Sequence, residues 1–156
     1  MTQTNAESPS VEELSAELVL TAGRFVRAVT RRASTDVPTA TLRLLSQLDE
    51  LGPVTIGALA RADRCSQPTM SAAVQNLCDR GWGAKTPNPA DARSSLVDLT
   101  RSGRAVLEKA RRERADVVAA RLRLDPHHDA RDLATAVAVL RGLLDLAEHQ
   151  SDEGTR

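Results

Sequence analysis

The sequence predicts a mainly α-helical fold with one small β-hairpin, arranged as a winged helix-turn-helix. The 156-residue chain has one Phe, one Trp and no Tyr, so its core must come from Leu, Val and Ala, which favours helices. Two amphipathic patterns stand about four residues apart, which is typical of a helix-turn-helix. Residues 79–99, DRGWGAKTPNPADARSSLVDL, follow directly, and their dense Gly and Pro residues indicate a hairpin.

The first helix is predicted to begin after Ser10, because Ser10 and Glu13 have the spacing of a capping box. Its apolar residues recur on one face as far as about residue 33. They are Leu14, Leu18, Phe25 and Val29. Residues 1–9 and 151–156 are polar, and we expect both to be disordered tails.

Three helices are predicted between residues 38 and 80. Pro38 and Thr39 introduce the second helix, and Gly52 with Pro53 ends it. Thr55 is placed to cap a short third helix over residues 56–62. Ser66 is placed to cap a fourth helix that has Pro68 in its first turn and runs to residue 79 or 80. The buried face of this fourth helix is predicted to carry Met70, Ala73, Val74 and Leu77.

A hairpin and two long helices complete the predicted fold. Strands are expected near residues 84–86 and over residues 95–99. A fifth helix is expected after Thr100, running toward Leu124. Asp125, followed by Pro126, is predicted to cap the sixth helix. The last helix carries apolar residues on two adjoining faces, which burial between two copies explains more easily than packing within one chain.

The charge pattern is compatible with a nucleic-acid partner although the net charge is zero. Between Ala60 and Arg114 the chain has 11 Lys or Arg against 6 Asp or Glu, while the remainder is acidic. A helix-turn-helix places its second helix in the major groove, and a basic hairpin reaches phosphate or the minor groove. Arg101 and Arg104, near the base of the hairpin, are further candidates for the DNA backbone.

Residues 77–100, LCDRGWGAKTPNPADARSSLVDLT, resemble the wing of the multiple antibiotic resistance regulator (MarR) family. The matching positions run from the end of the fourth helix to the start of the fifth: Leu77, Gly81, Trp82, Lys85, Asn88, Pro89, Asp91, Arg93, Leu99, Thr100 and Gly103. The resemblance extends over about residues 12–148. Gly83 stands where the family usually has a β-branched residue, and we expect it to loosen the start of the first wing strand.

The resemblance implies one domain over residues 10–150, with a winged-helix DNA-binding part over 38–100. Residues 10–34 and 101–150 would form dimerisation helices, the first, fifth and sixth packing across a two-fold axis. It implies a homodimeric, sequence-specific transcription regulator, often a repressor, that binds a pseudo-palindromic operator. It also implies relief of DNA binding by a small aromatic or phenolic ligand, or by thiol oxidation.

The predicted DNA-binding residues lie on the fourth helix and the hairpin. Gln67, Thr69, Ser71 and Gln75 would read bases, and since Gln favours adenine while Ala72 or the Thr69 methyl suits thymine, A·T-leaning half-sites are expected. Asp91 is expected to orient Arg93 through a charge-assisted hydrogen bond. The full set is Ser66, Gln67, Pro68, Thr69, Ser71, Ala72, Gln75, Lys85, Asp91 and Arg93.

Other readings are less well supported by the sequence. A winged-helix module that binds protein without specific DNA readout is the alternative, because the fourth helix lacks Arg or Lys in its first turns. No nucleophile triad, phosphate-binding glycine loop or metal-ligand cluster predicts an enzyme, a cofactor or a metal site. Adjacent His127 and His128 diverge around a helix, so a shared metal is not expected.

Two further patterns concern redox chemistry and location. Cys65 and Cys78 have no resolving partner on one helical face, and we expect core or surface positions for them rather than a redox switch. The N-terminus lacks the pattern of a secretory signal and no apolar run is long enough for a membrane span, so a cytoplasmic protein is predicted.

Overall fold

A computed structural model of the protein describes residues 9–33 and 35–153, with residues 146–153 described by their backbone alone. The predicted tail over residues 1–9 therefore lies almost entirely outside the described residues. The described chain divides into two compact units at Ala115. Its elements are α1 (Val11–Arg32), α2 (Thr39–Leu51), β1 (Val54–Thr55), α3 (Ile56–Ala62), α4 (Gln67–Asp79), β2 (Gly83–Pro87), β3 (Ser95–Leu99), α5 (Arg101–Leu122) and α6 (Ala130–Glu153). The mainly helical fold with a small hairpin is confirmed.

Side-chain caps begin three helices at the predicted residues. Ser10 accepts a hydrogen bond from the backbone N–H of Glu13, and the Glu13 carboxylate accepts one from the backbone N–H of Ser10, which closes the capping box of α1. Thr55 caps α3 and Ser66 caps α4 in the same way through their hydroxyl oxygens. Gly52 ends α2 with a φ of +67°, a conformation that glycine adopts without steric cost.

The core of the first unit lies between α2, α3, α4 and the sheet, with α5 closing one side. Its fully buried side chains are aliphatic, as the composition requires: Leu42, Leu45, Leu48, Leu59, Val74, Leu77 and Val97. The prediction of a core position is wrong for one residue of the fourth helix. Ala73 is exposed, because α4 packs through Met70, Val74 and Leu77 while Ala73 lies at the edge of that face.

The sheet has three antiparallel strands in the order β1–β3–β2, one more than the sequence predicted. β1 has only two residues, Val54 and Thr55, so it is too short to show an alternating pattern. Gly83 pairs with Leu99 at the start of the β2 ladder and is buried. A Cβ atom there would lie 3.3 Å from the Leu77 Cβ, so the small residue lets the strand pass close to α4.

Thr100 joins the hairpin to α5. Its hydroxyl donates a hydrogen bond to the Gly81 carbonyl at 2.6 Å and accepts one from the backbone N–H of Gly103 at 3.0 Å. Its own backbone N–H donates to the Trp82 carbonyl at 3.0 Å. The Leu-Thr-x-x-Gly motif is therefore a helix cap that also fixes the base of the wing.

The sixth helix begins later than predicted. Asp129 accepts hydrogen bonds from the backbone N–H groups of Arg131 and Asp132, and Asp132 accepts one from the N–H of Asp129. Asp125 instead closes a turn by accepting from the His127 N–H at 2.8 Å. Only Asp129 has an acidic residue three positions on to return the bond, so it starts the helix. α6 then continues to Glu153, past the predicted boundary at residue 151.

Large apolar side chains remain uncovered on α1 and on α6. Along α1 only Val29 is buried, while Leu14 is 50% and Phe25 45% exposed. Every described side chain of α6 is exposed, including Leu140 at 39% and Leu144 at 64%. No helix in the described part of the chain is long and apolar enough to cross a bilayer.

Candidate nucleic-acid interface

The α4 helix presents a polar outer face opposite its buried one. Met70, Val74 and Leu77 pack into the core. The predicted DNA-binding residues on the helix and at its cap are all exposed: Ser66, Gln67, Pro68, Thr69, Ser71, Ala72 and Gln75. This division follows the helical period, because residues three and four apart share a face. α4 thus has the anchored and free faces that a recognition helix requires.

Two of these residues are engaged with each other at the start of α4. The hydroxyl oxygens of Ser66 and Thr69 lie 2.7 Å apart, and the Thr69 N–H donates to the Ser66 oxygen at 3.3 Å. Both hydroxyls therefore stabilise the helix start. Gln67, Ser71 and Ala72 have no side-chain hydrogen bond within the described chain, so Gln67 and Ser71 present polar groups to solvent.

Gln75 connects α4 to the wing. Its amide oxygen accepts a hydrogen bond from Lys85 Nζ at 2.9 Å, and its amide nitrogen donates to Asp79 Oδ1 at 2.8 Å. Lys85 can only donate and the Asp79 carboxylate can only accept, so the two partners fix which way the amide points. Gln75 and Lys85 were predicted to have separate roles, whereas the structure brings them into contact.

The wing loop is closed by side-chain to backbone hydrogen bonds. Asn88 accepts from the Ala90 N–H at 3.0 Å and donates to the Ser94 hydroxyl at 2.9 Å. Asp91 accepts from the backbone N–H of Arg93 at 3.0 Å. The Arg93 guanidinium does not donate the expected hydrogen bond to the Asp91 carboxylate. A carboxylate two residues before a backbone N–H closes an Asx turn, and this local bond holds Asp91.

Arg93 has an exposed guanidinium without an ion pair in the described chain. It lies with Lys85 and Gln67 along a groove of about 280 Å³. Thr55, the cap of α3, also lines this groove together with Ile56 and Gly57. The groove therefore combines α3, the start of α4 and both sides of the wing.

Ion pairs within the chain determine which Arg and Lys side chains remain available to bind DNA phosphate. Arg104 pairs with Asp49 at 3.2 Å and with Asp98 at 3.3 Å, and Arg111 pairs with Asp49 at 2.9 Å. Arg104 was a candidate for the DNA backbone, but its charge is balanced by two carboxylates. The unpaired positive charge of the wing is thus concentrated at Lys85 and Arg93.

The cysteines and the histidine turn carry the other reactive side chains among the described residues. Cys65 and Cys78 are free thiols, each half-buried against the core. No group of three His, Cys, Asp or Glu residues with metal-binding geometry occurs in the part of the chain that the structure describes. His128 Nδ1 lies 3.0 Å from Asp125 Oδ2 in the exposed turn before α6.

Sequence comparison finds one matching family model and related regulators from other organisms. The model of the MarR family matches residues 38–95. An uncharacterized HTH-type transcriptional regulator of Mycobacterium bovis is 32% identical over 133 residues, covering 85% of this chain and 93% of the relative. One of Mycobacterium leprae is 32% identical over 141 residues, covering 90% and 94%.

Solved structures share the fold at lower sequence identity. Wild-type apo MarR from E. coli superposes with a TM-score of 0.64 at 21% identity, covering 88% of this chain and 98% of that one. A MarR family protein from Bacillus stearothermophilus gives a TM-score of 0.70 at 18% identity, covering 88% and 95%. The elements described above therefore form a known winged-helix architecture.

Proposed function

This chain belongs to the MarR family of DNA-binding transcription regulators, and we propose that it is a homodimeric repressor that a small aromatic acid releases from its operator. The observation that carries the proposal is the groove that joins the exposed face of α4 to Lys85 and Arg93. Gln67, at the start of α4, lines this groove together with the cations Lys85 and Arg93. Winged helices divide recognition in this way, with bases read by the helix and phosphate bound by the wing.

The predicted DNA-binding residues take distinct roles in this proposal. Gln67, Ser71 and Ala72 face the bases, since all three are exposed, and the polar groups of Gln67 and Ser71 make no hydrogen bond within the described chain. Gln reads adenine and the Ala72 methyl suits the thymine methyl, which favours A·T-leaning half-sites. Arg93 enters the minor groove or binds phosphate. Ser66, Pro68 and Thr69 shape the start of α4, and Asp91 shapes the wing loop.

Dimer formation is supported by the uncovered apolar faces of α1 and α6. The described part of α6 buries no side chain, although its sequence repeats Leu and Val at helical spacing. A helix with such a face needs a partner surface, because burying apolar area is the main favourable term in association. In a two-fold dimer each copy covers the apolar face of the other, and the two recognition helices can then bind one operator.

A groove of about 310 Å³ between α2 and α4 is the proposed ligand site. Leu44, Ala73 and Leu77 give it apolar walls, and Arg80 supplies a cation at its edge. This size and lining suit a small aromatic acid, with the ring against the apolar wall and the carboxylate on Arg80. Since Ala73, Leu77 and Arg80 belong to α4 or its cap, a bound ligand would act on the recognition helix directly.

The test is selection of genomic DNA fragments by the purified full-length protein, followed by footprinting at several salt concentrations. We expect two protected half-sites about one helical turn apart and affinity that falls steeply with salt. Addition of an aromatic acid such as salicylate should weaken binding to the selected fragment. The absence of any specific footprint would favour a protein-binding winged-helix module instead.

A further inference from the structure

Two helices of the DNA-binding part end with the same backbone hydrogen-bond pattern. At the end of α3, the N–H of Cys65 donates to the Ala60 carbonyl at 3.0 Å, and the N–H of Arg64 donates to the Arg61 carbonyl at 3.1 Å. This pair of bonds defines a Schellman motif, which terminates a helix at a residue in the left-handed conformation. In α3 that residue is Arg64.

At the end of α4 the same two bonds recur. The N–H of Trp82 donates to the Leu77 carbonyl and the N–H of Gly81 donates to the Cys78 carbonyl, both at 2.9 Å. The left-handed residue here is Gly81, with a φ of +69°. Glycine is the usual choice at this position because it has no Cβ to crowd the following carbonyl oxygen.

Arg64 is the one non-glycine residue with a positive φ, at +50°, in the described part of the chain. The chain thus uses glycine at one Schellman motif and a long cationic side chain at the other. Glycine would remove the steric cost of the left-handed conformation at position 64, and asparagine would lower it. The choice of Arg is therefore not explained by the backbone.

Contacts within the described residues do not explain Arg64 either. Its side chain is exposed and makes no ion pair or hydrogen bond there. The adjacent carboxylate, Asp63, is already held by Arg43 at 2.8 Å and by Gln47 at 3.2 Å. The Arg64 side chain therefore makes no contact there that would offset the cost of its backbone conformation.

The location of Arg64 places its positive charge next to the start of α4. It stands two residues before Ser66, the cap of α4, so it belongs to the turn of the helix-turn-helix itself. The start of a helix favours phosphate through its free N–H groups and its dipole. In a helix-turn-helix the first helix crosses the DNA backbone and the second enters the major groove, and Arg64 stands in the turn that joins them.

We propose that Arg64 binds a DNA phosphate beside the start of α4, and that the left-handed backbone at this position is tolerated for that contact. This role rests on the proposed DNA-binding function and adds a residue that the sequence did not single out. It predicts that the stability of the protein and its affinity for DNA respond to different properties of residue 64. Stability follows the backbone preference, and affinity follows the charge.

Three variants of full-length protein separate these properties: Arg64→Gly, Arg64→Lys and Arg64→Ala. Thermal unfolding should shift upward for Arg64→Gly alone, because glycine relieves the left-handed conformation while Lys and Ala do not. DNA affinity on a fragment selected by the wild type should fall roughly three- to tenfold for the Gly and Ala variants and little for Lys. The slope of log affinity against log salt should also fall by about one per bound Arg lost.

Each outcome decides a separate point. If the wild type binds DNA and all three variants match it in affinity and salt slope, Arg64 does not contact phosphate. If Arg64→Gly unfolds at the same or a lower temperature, the left-handed backbone at position 64 does not destabilise the protein. If the wild type itself shows no salt-dependent DNA binding, the proposed function fails, and this role fails with it.

Discussion

Gly103, in the first turn of α5, lies directly against the carbonyl group of Trp82. A Cβ atom at position 103 would overlap the Trp82 oxygen and lie 2.9 Å from the carbonyl carbon. Both neighbours are backbone atoms that a side-chain rotation cannot move, and the same carbonyl accepts the Thr100 N–H. Position 103 therefore requires glycine for the wing and α5 to meet.

Gly103→Ala is expected to destabilise the protein by about 2–3 kcal/mol, because α5 or the wing base must shift to admit the methyl group. The measurement is denaturant unfolding. Gly57→Ala in α3 is the matched control, since its Cβ would meet only Arg61 Nη1 at an ordinary 3.7 Å. Equal stability of both variants would contradict the close approach.

Arg93→Ala is expected to lower operator affinity by about tenfold or more while leaving unfolding and oligomeric state unchanged. The reason is that the Arg93 side chain is exposed and has no ion pair in the described chain, so the fold does not depend on it. Arg112→Ala, on the exposed side of α5, is the control and should bind as the wild type does. Unchanged affinity of the Arg93 variant would remove the wing tip from the interface.

Gln75 and Lys85 are expected to act on DNA affinity as one unit, because the Gln75 amide holds the Lys85 ammonium at 2.9 Å. Gln75→Ala and Lys85→Met should each weaken binding, and the double variant should be little weaker than either. The measurement is a double-mutant cycle on the operator and on single-base variants of it. A loss confined to one base pair would instead show that Gln75 reads that base directly.

Leu140→Asp is expected to weaken the dimer by roughly 100-fold, because it places a charge in an apolar interface. Leu140 lies on the uncovered apolar face of α6. Ala138→Asp, on the face that carries Arg141, is the control with the same added charge. Sedimentation over a concentration series measures both, and identical dissociation constants would show that this face is not the interface.

His128 and Asp125 are expected to titrate as a pair in the exposed turn before α6. The hydrogen bond and charge of Asp125 raise the pKa of His128, and bonds from His127 and His128 lower the pKa of Asp125. The pair therefore stabilises the turn fully between the ordinary pKa of an aspartate and the ordinary pKa of a histidine. This contribution is lost as pH rises through the His128 pKa or falls through the Asp125 pKa.

An NMR titration of the His128 ring checks this expectation. Asp125→Asn keeps an oxygen acceptor for the His127 N–H but removes the charge, so the pKa of His128 should return toward its ordinary value. A pKa of His128 that stays the same in the variant would show that the pair does not form in solution.

Local signals in the sequence determined most of the elements and their boundaries. Ser10, Thr55 and Ser66 each start a helix where a hydroxyl can accept from a nearby backbone N–H. This prediction works because a cap is satisfied within three residues. The cap prediction was wrong for the start of α6, because Asp125 and Asp129 both have a carboxylate that can accept from a backbone N–H. The choice between them depended on the returned bond from Asp132.

The predicted DNA-binding residues on α4 and the wing are exposed in the structure, but the sequence did not predict how they contact one another. The residue types on the outer face of α4 follow from the helical period, so sequence was sufficient to select them. Their side-chain hydrogen bonds could not be predicted, because the bonded residues are far apart in sequence. Gln75 and Lys85 are ten residues apart, and Arg104 and Asp49 are fifty-five apart. Such contacts depend on how elements pack, which local pattern does not encode.

The sequence by itself determined a winged helix-turn-helix built on an aliphatic core, because caps, turn residues and apolar spacing are properties of neighbouring residues. The tertiary structure alone decided which charges remain free, why Gly83 and Gly103 must be small, and that Arg64 occupies a left-handed position. These features arise where separate segments approach each other or where hydrogen bonds fix a backbone angle. They exist only once the chain has folded.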